Sequence, residues 1–192
     1  NGDNASAEFG FIVKNGSNFS MQDSFLSEAG WTDSINKRGL EINSSNVVLN
    51  NNTIADSYAG ITIYSNNNKV SNTTITNTKF GTQLYGDNNT FNNNLVDSHS
   101  ALFVSSADNN SFSNNLWNCT SSGLGPESIL EPESIELIQS INNVFQYETL
   151  ISDGKGLNIN NAGGDSSLNY TNYFVDSTIT SVENSTLITA DA

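Results

Sequence analysis

The sequence predicts an all-β chain, a parallel β-helix built of stacked β-arch coils of about 21 residues, on three observations. Gly39, Gly60 and Gly81 lie 21 residues apart, and Ala101 follows one residue early. Three apolar columns recur: Ile42, Ile63, Leu84 and Val104, the last again one residue early; and, at an unbroken 21, Leu49, Val70, Phe91 and Phe112, and Ile54, Ile75, Val96 and Trp117. Two asparagine columns keep pace with them: Asn46, Asn67, Asn88 and Asn109, and Asn51, Asn72, Asn93 and Asn114.

Three apolar columns separated by polar corners imply three short strands per coil. Alternate residues of a strand face opposite ways, so Leu40 and Ile42 point inward while Glu41 and Asn43 point out. A single coil cannot bury its apolar residues, but stacked coils share one continuous core. Neighbouring coils then sit about 4.8 Å apart, with like residue on like. Asparagine suits the corners because it tolerates the left-handed conformation and bonds local backbone. Its amides can also bond along a stack. A helical solenoid would instead carry a 3.6-residue period and little asparagine, a poor helix former. Disorder, the other reading of so polar a chain, does not produce apolar residues at fixed spacing.

The regular coils run over 39–122. Residues 1–38 hold two apolar patches, Phe9–Val13 and Phe25–Trp31, which do not fit the columns and read as an N-terminal cap or assembly segment. Residues 123–192 read as an acidic C-terminal segment packed on the stack. In it a Pro-Glu-Ser-Ile doublet (126–129 and 132–135) precedes Ile135, Ile138 and Ile141, a short helical face or a strand. The tail from Asn169 alternates in β fashion and adds strands or a small sheet. The residue missing from the fourth coil is placed near Ala101 and restored by Ala107.

The net charge of −14 argues against nucleic acid or an anionic membrane as partner, since phosphates call for Lys and Arg. No apolar run reaches the roughly 20 residues of a membrane helix, which argues against membrane insertion. The charge is uneven. Residues 42–122 hold Asp56, Asp87, Asp97 and Asp108 against Lys69 and Lys79, whereas 123–192 hold ten acids against Lys155. The chain begins at Asn1 without Met and reads as a processed, exported product. Asn-x-Ser/Thr sequons, among them those at Asn15, Asn43 and Asn72, permit glycosylation.

Catalytic β-helices need clustered acids, two carboxylates about 5–10 Å apart in a glycosidase. Here Asp56 is followed in its column by Asn77, Ser98 and Cys119, and only Asp87 and Asp108 stack. These two read as solvent-facing turn aspartates that could at most help to hold a divalent cation such as Ca2+. His99, the single histidine, reads as a surface residue near a corner and has no Ser or Cys partner at a recognisable spacing. The sequence therefore predicts no enzyme, no catalytic residue and no cofactor. Tyr64 and Tyr85 share an outward column, a platform for polysaccharide or a packing surface. Cys119 has no internal partner. It is either a small buried hydrophobe or, given the polar residues above it, an accessible thiol that joins the Cys119 of another copy.

The runs Asn67-Asn68-Lys69-Val70-Ser71-Asn72, Asn88-Asn89-Thr90-Phe91-Asn92-Asn93 and Asn109-Asn110-Ser111-Phe112-Ser113-Asn114 resemble the repeats of NosD-like and adhesin-like β-helix surface proteins, common in archaea. Small size, acidity, stacked asparagine and a lone Cys resemble the amyloid-like sheath proteins that form tubes around filamentous methanogens. These resemblances imply a structural, extracellular cell-surface protein that assembles with itself into a protective layer or sheath. A carbohydrate-binding or carbohydrate-processing β-helix and a monomeric adhesin module are the alternatives.

Overall fold

In the computed structural model, which describes residues 9–31, 36–119, 133–160, 172–183 and 186–187, the chain winds as parallel strands in three columns. The first column holds β1 (Phe11–Val13), β4 (Gly39–Ile42), β7 (Ala59–Ile63), the ends of β9 (Thr74–Leu84) and β11 (Leu95–Ser105), β14 (Glu133–Ile138), the end of β16 (Thr149–Asn160) and β19 (Thr186–Leu187). The second holds β2 (Ser20–Gln22), β5 (Val48–Asn50), β8 (Lys69–Ser71), β10 (Thr90–Asn92), β12 (Ser111–Ser113), β15 (Val144–Gln146) and β17 (Tyr173–Val175). The third holds β3 (Phe25–Ser27), β6 (Thr53–Ala55), the starts of β9, β11 and β16, β13 (Leu116–Cys119) and β18 (Thr178–Glu183). All strand pairs are parallel and join residues of successive coils, the arrangement of a parallel β-helix.

The columns have the expected register. Leu49 pairs with Val70, Val70 with Phe91 and Phe91 with Phe112. Their side chains fill the core with almost no exposure. Phe91 stacks on Phe112 at 5.1 Å between ring centroids, Phe112 on Phe145 at 4.4 Å and Phe145 on Phe174 at 4.5 Å. Trp117, from the third column, meets Phe112 edge-on at 6.1 Å. Glycine recurs in the first column because space is short there. A Cβ on Gly60 would lie 2.6 Å from the Gly81 carbonyl oxygen.

The stack is longer than the regular repeat. The segment before Gly39 forms a coil of its own: Val13 pairs with Ile42, Met21 with Leu49 and Leu26 with Ile54. Its patches thus do fit the columns, but at a step of 28 or 29 residues instead of 21, because extra residues lie between Ser27 and Gly39. Likewise Phe145 and Leu150 continue Phe112 and Trp117 after a step of 33, and Phe174 and Ile179 follow after 29. Ile135 lies in a strand, not a helix, and its inward face joins the core. The two prolines, Pro126 and Pro132, lie outside the described residues.

Candidate functional site

The corners assign the asparagine doublets. Asn46, Asn67, Asn88 and Asn109 have φ of 64°, 61°, 58° and 58°, and Asn51, Asn72, Asn93 and Asn114 have 55°, 50°, 56° and 56°. All eight turn the chain in the left-handed region that asparagine tolerates better than most residues. Their side chains are exposed and do not make the buried ladder. That ladder runs through the next residue of each doublet. Asn68 N–H donates to Asn89 Oδ1 at 2.8 Å, Asn89 N–H to Asn110 Oδ1 at 2.7 Å and Asn110 N–H to Asn143 Oδ1 at 2.9 Å. At the other corner Thr73 N–H donates to Asn94 Oδ1 and Asn94 N–H to Asn115 Oδ1, both at 2.9 Å. Several of the amide NH2 groups reach back to a carbonyl, as Asn94 does to Val70 O at 3.0 Å and Asn115 to Phe91 O at 3.2 Å, whereas Asn89 Nδ2 is buried without a hydrogen-bond partner. These inner asparagines satisfy corner backbone groups that the strand ladders cannot reach.

Glu148 replaces asparagine at one rung of the second ladder. It is 1 % exposed. Its Oε1 accepts Asn115 N–H at 3.2 Å and Asn115 Nδ2–H at 3.1 Å, and its Oε2 accepts Trp117 Nε1–H. Burial pushes its pKa up to about 7 against these stabilising donors.

Asp87 and Asp108 form a third, shallower ladder. Asp87 Oδ1 accepts Asp108 N–H at 2.8 Å, Asp108 Oδ1 accepts Ile141 N–H at 2.9 Å, and Asn66 Oδ1 accepts Asp87 N–H at 2.8 Å. One oxygen of each carboxylate therefore serves the backbone of a neighbouring coil. Among the described residues no three His, Cys, Asp or Glu side chains converge as a metal site.

Cys119 corrects the expectation of an accessible thiol. It is fully buried, donates to His99 O at 2.6 Å, and burial pushes its pKa up to about 12. The cause lies in the fourth coil, where the register shifts between Asp97 and Ser98, so that Ser98 pairs with the buried Thr78 and not with the exposed corner residue Asn77. Cys119 pairs with Ser98 and inherits its inward place. The deletion thus sits at the corner before Ser98, earlier than the position near Ala101. His99 is buried as well, at 6 % exposure, where a surface position was expected.

The outer face of the first column gathers groups that the sequence reading treated separately. Tyr64 and Tyr85 stack at 5.1 Å and 11°, Arg38 donates to Tyr64 Oη at 2.7 Å, and Phe103 tilts onto Tyr85. Two coils on, Glu136 shares a hydrogen bond with Glu133, whose Oε1 accepts Asn158 Nδ2–H at 2.9 Å and lies 3.9 Å from Lys155 Nζ. Burial raises the Glu136 pKa, and the Glu133 bond and the Lys155 charge oppose the shift. That carboxyl pairing lies in a coil the 21-residue alignment did not reach.

The ends of the stack differ from its flanks. β2 and β17 are the two outermost strands of the seven-stranded sheet, each paired on one side only among the described residues. Phe11, Phe19, Met21, Phe25 and Leu26 of the first coil line an open groove of ≈ 440 Å³, and Phe25 is 68 % exposed. At the other end Ile179, which follows the buried Leu150 in the third column, is 42 % exposed.

A comparison with curated proteins finds none that matches the chain. A family model described as "Right handed beta helix region" matches residues 3–117, more than half of the 192 residues, and includes the first coil that the regular spacing omits. Parallel columns, left-handed asparagine corners and this match together place the chain in the right-handed β-helix family.

Proposed function

We propose that the protein is a structural, non-catalytic β-helix, exported to the cell surface, that assembles with itself into a protective layer or sheath. The observation that carries this reading is that β2 and β17 are each paired on one side only among the described residues, with Phe25 and Ile179 exposed in the strands that follow them. An open parallel edge is a template for another chain, and folds that stay monomeric blunt it with charge, proline or a covering element. The archaeal setting rests on the resemblance of the asparagine-rich repeats, the sheath on the resemblance in size, acidity, stacked asparagine and lone Cys, and the glycans on the Asn-x-Ser/Thr sequons. Electron microscopy and sedimentation of purified protein test the reading. Tubes, sheets or fibrils are expected, and monodisperse monomers across a wide concentration range refute it.

A second reading has its own observation. The Tyr64–Tyr85 stack and the Glu133–Glu136 pair share one outer face, which suits a carbohydrate-binding or carbohydrate-processing β-helix. Titration with soluble polysaccharides separates the two. Saturable binding that Tyr64→Ala abolishes, or release of reducing ends that Glu136→Gln abolishes, favours the second.

A further inference from the structure

We infer that copies of this chain join head to tail in one register, the C-terminal coil of one copy seating Phe174 and Ile179 over the Met21 and Leu26 of the next. The inference rests on the self-assembly reading and names its interface. β2 and β17 bound the same sheet, so an added copy continues that sheet without changing its direction. The side chains match as well. Phe174 ends the aromatic column whose last two rings stack at 4.5 Å, and Met21 opens the same column at the floor of the groove. Ile179 and Leu26 end and begin the third column.

Residues 1–8 (NGDNASAE) hold no apolar side chain larger than alanine. Head-to-head or tail-to-tail contacts would reverse the strand direction, whereas head-to-tail contact preserves it.

One element stands in the way. Continuing the first column would set Val13 of the incoming copy on Ile159. That edge of β16 is taken by β19, whose Leu187 pairs with Ile159. β19 and the incoming β1 therefore compete for one slot. A pairing of two residues is weak, so β19 acts as a displaceable plug on the growing end.

The test compares four purified proteins by pelleting and non-reducing gels: the full chain, Phe25→Asp, the double variant Gln22→Cys/Val175→Cys, and a chain ending at Glu183. Phe25 is mostly exposed, so Phe25→Asp should fold as the parent does, checked by circular dichroism. It should raise the concentration needed for assembly at least about tenfold, because docking would strip an unpaired carboxylate of water. Gln22 and Val175 of adjoining copies would stand opposite each other about 4.8 Å apart, within reach of a disulfide. The double variant should therefore give a ladder of covalent multimers that thiol collapses and that Gln22→Cys alone does not give. The shortened chain should assemble at lower concentration. If the full chain assembles but Phe25→Asp does so equally well and the double variant gives no ladder, this interface is wrong while self-assembly stands. If the full chain never assembles, both fail. A shortened chain that assembles less readily overturns the role given to β19.

Discussion

Glu148 offers the sharpest test of how this core is held. Its carboxylate sits at 1 % exposure on a rung that asparagine fills in the two coils before it, with its pKa pushed up to about 7 from 4.5. A group whose folded pKa is raised binds its proton more tightly when folded. Its contribution to stability is full below about pH 4.5 and is lost as pH rises through about 7. The full loss amounts to about 3 kcal/mol, taking 1.36 kcal/mol per pKa unit. Glu148→Gln removes the titration. It also turns an amide toward Trp117 Nε1–H, which then lacks an acceptor, at a pH-independent cost of about 1–3 kcal/mol. The variant should therefore be the less stable protein at pH 4 and lose less stability between pH 4.5 and 8. Urea unfolding of both proteins at half-unit steps from pH 4 to 8.5 measures the difference, and titrations shared by both, Glu136 included, cancel. A difference in stability that stays constant across this range would mean that Glu148 titrates like an exposed carboxylate, and the reasoning from burial would fail.

Three further outcomes follow from the same structure. Phe112→Ala, in the middle of the ring stack, should lower stability by about 3–5 kcal/mol in chemical unfolding. Asn94→Leu, which leaves Thr73 N–H without its acceptor and takes the amide donor from the Val70 carbonyl, should cost about 2–4 kcal/mol, whereas Asn93→Leu should cost only the roughly 1–2 kcal/mol of a left-handed backbone without asparagine. Equal losses from the two would contradict the division between inner and corner residues. Cys119 should resist thiol reagents in the native protein at pH 8, label fully in denaturant and give no dimer on non-reducing gels.

What the sequence revealed follows from where its spacing is regular. Leu49, Val70, Phe91 and Phe112 stack as their 21-residue steps required, because nothing intervenes between those coils. Met21 and Phe145 belong to the same column but are reached after 28 and 33 residues, and a period search has no means of knowing that the added residues loop out and return the chain to register. The doublets posed another problem. Asn67 and Asn68, or Asn93 and Asn94, both repeat at 21, so spacing alone does not say which turns the corner and which faces in. A deletion of one residue placed four positions late was enough to put Cys119 on the wrong side of the wall. The outer-face pair Glu133 and Glu136 joins the Tyr64–Tyr85 face only through the β11–β14 pairing, which crosses the longest insertion.

The orientation of the strands has a mechanical consequence. Hydrogen bonds between coils run along the axis of the stack, and the first and last coils lie at its opposite ends. Tension applied between those ends loads the bonds in series, one coil boundary after another, so the weakest boundary opens first and the rest remain closed. A filament of such stacks would stretch by peeling single turns, each releasing a length of chain and able to rewind when the load falls. It would absorb a shock as a spring with many small catches, not bear it as a stiff rod.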